Sequence, residues 1–225
     1  MSLAWRVLGE SGLRLRPNLL CPALVEEVLS GVRSSQYFGK NRGSHDFYRN
    51  TLGFSLAFRS SHRPQVEAHL PFLRPLLDVM LQPECNCFFL TLLGARPDGQ
   101  RYHTDNYFEN YCSGPRPSDL VSVAYLEADE AMVGGELVVL KVSADETGPV
   151  RHGSEAAGQV LRVVRPSPGL VVDFDGRLLH AVRAFRGANR VSAVLEQCRL
   201  PRQIVRKTPR FSIFCQKSNE ELILA

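Results

Sequence analysis

Between Cys85 and Cys198 the chain is a succession of short apolar runs cut by turns. The runs are CFFLTLL (87–93), DLVSVAYLEA (119–128), GELVVLKV (135–142), QVLRVV (159–164), GLVVDF (169–174), LLHAVRAF (178–185) and RVSAVLEQC (190–198). Val, Leu and aromatic residues dominate them, as half-buried pleated strands require. RPDG, GPRPSD, VGG, RPSPG, DFDG and RGAN stand between them, supplying residues that tolerate turn geometry. Seven or eight strands so closely spaced, with no helical period between them, predict a β-sandwich or jelly roll.

The residues before this region read differently. Pro22 suits the first turn of a helix running to about Arg33, with Leu24, Val25, Val28, Leu29 and Val32 at helical spacing. A second helix is expected over Pro64–Leu81, on an apolar stripe that includes Val66, Leu70, Leu73, Leu77 and Met80, with bends at Pro71 and Pro75. GFSLAF (53–58) reads as a short strand between the two helices. The expected fold is mainly β with flanking helices (α+β). It forms one domain over 1–225: a helical support (1–84), a β core (85–198) and a basic C-terminal extension (199–225).

Composition bounds what such a domain can do. The chain has 225 residues, 44% of them hydrophobic, enough to bury a core without disulfides. With 17 Gly and 14 Pro, collagen-like and largely disordered chains are excluded. The net charge of +4 is local: RLPRQIVRKTPR (199–210) carries five positive charges and no negative one, leaving the remainder at −1. That tail reads as a solvated edge or as a basic contact surface. No apolar run approaches the roughly 18 residues of a membrane span. Arg6, Glu10, Arg14 and Arg16 interrupt the N-terminus before a secretory signal could form. A cytoplasmic protein with no membrane partner is therefore expected. The six Cys are expected to be reduced and mostly buried, since Cys85 and Cys87 have no second pair to complete a zinc site.

The chemistry concentrates in YHTDNYFENY (102–111). In an extended strand residues i and i+2 face the same way, so His103 and Asp105 can present an imidazole and a carboxylate to one point. His–x–acid is common by chance, and a lone His on an apolar strand is more often a packed core residue. The ordered set around the pair changes the reading. His180 lies 75 residues beyond Asp105 on another predicted strand. Two His and one carboxylate occupy one face of an octahedral ion and leave three positions open, the arrangement used for Fe(II) oxygen chemistry. Ten residues after His180, Arg190 opens the next strand, where a guanidinium can pair bidentately with the carboxylate of a small co-substrate. Ser192 shares its face. Tyr107, Phe108, Asn110 and Tyr111 follow the ligands and suit a lid or substrate wall as well as ordinary packing. His45, His62, His69 and His152 lack a same-face carboxylate in the right order and read as surface or structural.

Taken together, HTD (103–105), the distal His180 and Arg190 resemble the Fe(II)/2-oxoglutarate-dependent dioxygenase superfamily, most of all its prolyl 4-hydroxylase-like branch. AYLEA (124–128), GGEL (134–137) and PGLVVDF (168–174) leading into LLHAV (178–182) are similar to that branch's Tyr-Leu-Asn strand, Gly-Gly-Glu hairpin and approach to the second His. The resemblance covers about residues 85–198. It implies a double-stranded β-helix in which His103, Asp105 and His180 bind Fe(II) and act in catalysis. Arg190 would hold the distal carboxylate of 2-oxoglutarate, and Ser192 matches an Arg-x-Ser pairing of other branches. One position departs from the pattern: many branch members carry a Tyr about ten residues before the H-x-D, and TLLGARPDG (91–99) has leucines there.

The implied activity is hydroxylation of an unactivated C–H bond of an amino acid, free or in a peptide or protein, prolyl included. It is coupled to oxidation of 2-oxoglutarate to succinate and CO2, with O2 consumed and ascorbate a candidate auxiliary. Related halogenases lack the carboxylate ligand, so Asp105 favours hydroxylation. Two alternatives stand beside it: an oxidative demethylase of nucleic acid using the basic tail, and a non-catalytic metal-binding jelly-roll protein. The loops that would select the substrate (about 36–52 and 106–118) carry no recognisable code.

Overall fold

The computed structural model describes residues 3–40, 52–94, 98–143, 159–186, 189–215 and 222–223. Helix α1 (Leu3–Leu8) precedes strand β1 (Leu13–Arg16), which the sequence pattern did not announce. Helix α2 (Pro22–Ser34) starts at the expected proline, whose missing N–H costs nothing in a first turn, and buries Val25, Val28 and Val32. Strand β2 (Gly39–Lys40) pairs with β3 (Leu52–Arg59), so much of the first expected selectivity loop lies outside the described residues.

The second expected helix is three pieces. Helix α3 (Arg63–His69) ends before a 3-10 turn (Pro71–Leu73), and helix α4 (Arg74–Met80) follows. Pro71 explains the break, because it removes a donor and forces Leu70 out of helical geometry, to φ −135° and ψ 65°. Pro75 does not bend a helix. It sits in the first turn of α4, where proline is tolerated.

The strand-rich region follows the sequence expectation closely. Strands β4 (Cys87–Gly94), β5 (Gln100–His103), β6 (Leu120–Ala128), β7 (Val133–Gly134), β8 (Leu137–Ser143), β9 (Val160–Val164) and β10 (Val171–Phe174) lead to β11 (Leu178–Val182). LLHAVRAF, expected as one strand, divides into β11 and β12 (Phe185–Arg186), and β12 leaves to pair with β7. Strand β13 (Arg190–Cys198) is central. The tail then adds β14 (Phe211–Phe214) and β15 (Leu222–Ile223).

Two main antiparallel sheets result, beside the two-stranded β7–β12 pair. The large one runs β1-β10-β6-β13-β4-β3-β14-β15, and the small one β5-β11-β8-β9. Val121, Val123, Tyr125, Val172 and Phe174 of the large sheet pack against Leu137, Val139 and Val164 of the small sheet. Four strands of each sheet thus enclose a common interior, the double-stranded β-helix. On its other face the large sheet buries Phe88, Leu90, Leu92, Ala193 and Leu195 against α2, α3 and α4. Phe211 and Ile213 of the tail join that helical core, so the tail adds β14 and β15 to the large sheet as well as basic residues. Arg202–Val205 form a helical turn on the way, with Arg202, Arg206, Lys207 and Arg210 exposed.

No helix among the described residues is long and apolar enough to cross a membrane. The six cysteines are free, and Cys85, Cys87 and Cys198 are buried. Burial pushes the Cys85 thiol up to about 12. Only Cys87 of the C-x-C pair lies on the strand.

Candidate metal centre

His103 closes β5 and stands directly opposite His180 on β11. Their ring centroids are 4.2 Å apart. Each imidazole turns Nδ1 to a backbone carbonyl, His103 to Arg101 at 2.7 Å and His180 to Leu178 at 3.1 Å. A carbonyl can only accept, so Nδ1 carries a proton in each ring and Nε2 is the atom turned to the centre. Both Nε2 atoms meet the Asp105 carboxylate, His103 at 3.6 Å from Oδ1 and His180 at 3.4 Å from Oδ2. One donor atom from each of the three buried residues lies within 4.8 Å of the others, and no other such group of three occurs among the described residues.

Burial by itself would raise the Asp105 carboxyl. The two imidazoles beside it overcome that and hold it well below the usual range. Burial, then the neighbouring His180, pushes the His103 imidazole down. An ionised carboxylate beside a neutral imidazole is the protonation state a divalent cation takes. Buried Asp105 Oδ2 has no hydrogen-bond donor, and an ion between the three side chains would give it a partner by coordination. The donor set suits Fe(II): two imidazoles and one carboxylate on one side, with no thiolate.

One detail differs from the strand reading. Asp105 is not on β5, which ends at His103; it lies in the following loop, and its carbonyl accepts the Ser118 N–H at 2.9 Å. His62 and His69 stay with the helical segment and do not join the group, while His45 and His152 lie outside the described residues.

A second cluster occupies the same interior. Arg190 opens β13, Ser192 follows on the same face, and Tyr125 of β6 pairs with Ser192. The Arg190 guanidinium carbon lies 5.5 Å from the Tyr125 ring centroid. Arg190 Nε, Ser192 Oγ and Tyr125 Oη are all buried without a hydrogen-bond partner. Burial raises the Tyr125 hydroxyl, and it outweighs the guanidinium, which acts on the phenol by its charge and by a polar contact outside good hydrogen-bond geometry. Leaving three donors and a buried cation unpaired costs several kcal/mol, by order of magnitude. A carboxylate would satisfy all of them.

Tyr125 stands in the AYLEA segment matched by resemblance, but sequence reasoning assigned it no role. The available signal was its alternation with Val121 and Val123, which puts the hydroxyl on the interior face. Leu93 occupies the position ten residues before His103 and pairs with Ser192 from the other side. The leucine expected from the sequence is therefore at this flank, and the neighbouring hydroxyl comes from β6.

Residues 107–111 form a 3-10 helix that packs on Cys87 and Phe89 of β4 and Cys198 of β13. Phe108 is buried and packs there, whereas the Tyr107 ring stacks on Phe89 at 3.8 Å and 5°. Asn110 is exposed. Glu196, also unmarked by sequence reasoning, is buried on the Arg190 face of β13, and burial followed by the charge of Asp105 pushes its carboxyl up to about 8.

This strand order and layer pairing recur in solved structures of 2-oxoglutarate/Fe(II) oxygenases. A prolyl-4-hydroxylase from Pseudomonas putida aligns over 88% of this chain and 98% of its own, with 19% identity and a TM-score of 0.53. A Trichoplax adhaerens prolyl hydroxylase, solved with a hypoxia inducible factor oxygen degradation domain peptide fragment, covers 92% of this chain and 91% of its own at 15% identity and TM-score 0.52. HygX from Streptomyces hygroscopicus, solved with nickel and 2-oxoglutarate bound, covers 87% and 85% at 14% identity and TM-score 0.52. At these identities the shared property is the fold. No protein-family model and no curated protein sequence matches the chain.

Proposed function

We propose that this chain is an Fe(II)- and 2-oxoglutarate-dependent dioxygenase that hydroxylates a C–H bond of an amino acid, within a peptide or protein or free. The observation that carries the reading is the coexistence, inside one barrel, of the buried His103–Asp105–His180 group and a buried guanidinium with no anion to pair with. Each is costly alone, and a metal ion with a dicarboxylate co-substrate accounts for both. Two neighbours of the same fold lend support: HygX holds nickel and 2-oxoglutarate, and the Trichoplax hydroxylase holds a peptide.

In this reading His103, Asp105 and His180 hold the ion from one side. Bound iron supplies the dioxygen chemistry that couples oxidation of 2-oxoglutarate to succinate and CO2 with insertion of one oxygen atom into the substrate. The chain itself contributes binding, orientation and a dry interior. The two Nδ1–carbonyl contacts set the tautomer and tilt of the imidazoles, and the Phe174 ring, 4.8 Å from that of His180, restricts its rotation. Arg190 neutralises the far carboxylate of the co-substrate, with Tyr125 and Ser192 donating beside it. Val121, Val123, Leu137 and Val139 wall the interior, and excluding water strengthens each of these charged contacts.

The test is succinate formation from 2-oxoglutarate by the Fe(II)-loaded chain, and its loss in His180→Ala. Absence of succinate from a folded, metal-loaded sample, with or without candidate amino-acid and peptide substrates, would leave a metal-binding protein without this activity.

A further inference from the structure

Of the three proposed ligands, Asp105 alone is held by no β-ladder. His103 and His180 are fixed by cross-strand pairing, but Asp105 sits past the end of β5, at the start of a loop that returns to the large sheet only at Leu120. Its backbone is nonetheless tied. The Asp105 carbonyl accepts the Ser118 N–H at 2.9 Å, closing the loop on itself. Both ends of the closed loop then converge on one atom: Glu196 Oε2 accepts the Tyr107 N–H and the Ser118 hydroxyl, each at 2.9 Å. Glu196 and Ser118 are buried. On β13, Glu196 stands opposite Phe89 of β4, whose ring stacks on Tyr107. Tyr107 is thus gripped through its backbone and its ring by two residues that are cross-strand neighbours. The next residue along, Asp119, donates its N–H to the Gln197 carbonyl and brings the chain into the sheet.

We propose that Glu196 is a positioning residue that latches the 105–118 loop to β13 and so holds Asp105 in its place among the metal ligands. Two buried donors aimed at one point need an oxygen with two free lone pairs. The backbone carbonyls of β13 on either side are engaged with β4 and β6, so a side chain has to provide it. The role rests on the metal reading above, and it predicts that acceptor geometry, not charge, is what matters. A glutamine carbonyl oxygen can accept both donors, whereas a leucine can accept neither.

Co(II) binding to the full-length chain, followed by its visible ligand-field absorption, tests this. Glu196→Leu is expected to weaken Co(II) binding by about 10- to 100-fold, the usual range for a partner that orients a ligand, and to alter the band shape. Glu196→Gln is expected to restore wild-type affinity and spectrum. Leucine binding like wild type overturns the latch, and so does glutamine binding as weakly as leucine. If Glu196→Leu does not fold, Ser118→Ala, which removes one of the two arms, carries the test: a loss of about fivefold supports the latch, and an unchanged affinity and spectrum overturns it. A wild-type chain that binds no Co(II), or a His180→Ala chain that binds it undiminished, would bring down the metal reading itself, a result distinct from failure of the latch alone.

Discussion

The two faces of the large sheet each bury a cluster of charged and polar side chains, one closed and one open. On the helix-packed face, Asp173 is fully buried and both its oxygens are taken: Arg14 Nη2 lies 2.8 Å from Oδ2, Arg16 Nη2 2.9 Å from Oδ1, and the Ser122 hydroxyl 2.7 Å from Oδ1. Gln197 extends the network, donating to Ser122 and to the Met80 carbonyl and accepting the Gln82 N–H. It ties β1, β10, β6 and β13 to the end of α4. On the interior face of the same strands, Arg190, Ser192 and Tyr125 are as deeply buried and have no such partners. A buried polar network with its valences filled belongs to the fold, whereas one with them open is kept for something that arrives later.

That contrast can be broken at several points. His103→Ala, Asp105→Ala and His180→Ala are each expected to abolish metal-dependent turnover while far-UV circular dichroism stays that of the folded chain. Retained activity in His180→Ala would show the three residues are not a centre. Next in size is Asp173→Ala, which strands two arginines and a serine. Because Arg14 is partly exposed, the expected loss is about 3 kcal/mol of unfolding free energy by chemical denaturation, at the lower end for a broken buried pair.

Arg190→Met should behave in the opposite way. Stability without co-substrate is expected to hold or rise, because an unpaired buried cation is removed. Meanwhile 2-oxoglutarate binding, read by calorimetry, falls by about 2–4 kcal/mol with iron affinity retained. Loss of stability without loss of co-substrate affinity would make Arg190 a second Asp173-type strut. Tyr125→Phe is the smallest change, expected to cost about 1 kcal/mol of 2-oxoglutarate affinity and no stability. An unchanged affinity would leave the anion site to Arg190 and Ser192.

The legible and the hidden parts of this site divide by whether a residue belongs to an ordered motif. The H-x-D spacing, the downstream His180 and the Arg190–Ser192 pair form one ordered motif, and the structure brings His103, Asp105 and His180 together and sets Arg190 and Ser192 on the interior face. Tyr125 and Glu196 escaped because their significance lies in what stands opposite them: Ser192 across the β6–β13 ladder in one case, Tyr107 and Ser118 from a loop some 80 residues away in the other. A tyrosine on an apolar strand and a glutamate near the end of one carry no sign of this in the letters alone. The second helix was misjudged for a local reason, since Pro71 broke the helix whereas Pro75 found a first turn to occupy.

By itself the sequence determined most of the strands between Cys85 and Cys198 and the face that their residues take. Alternation has a period of two, and burial on one face penalises a slip by one residue. It also determined the chemical kinds available at the site: two imidazoles, a carboxylate and a guanidinium. Only the tertiary structure decided the pairings. It set His103 opposite His180, put a closed ion-pair network on one side of the sheet and an open donor set on the other, and moved Asp105 off its strand into a loop held by Glu196. The physical reason is that register between strands distant in sequence is chosen by the packing of the whole interior, and no local period encodes it.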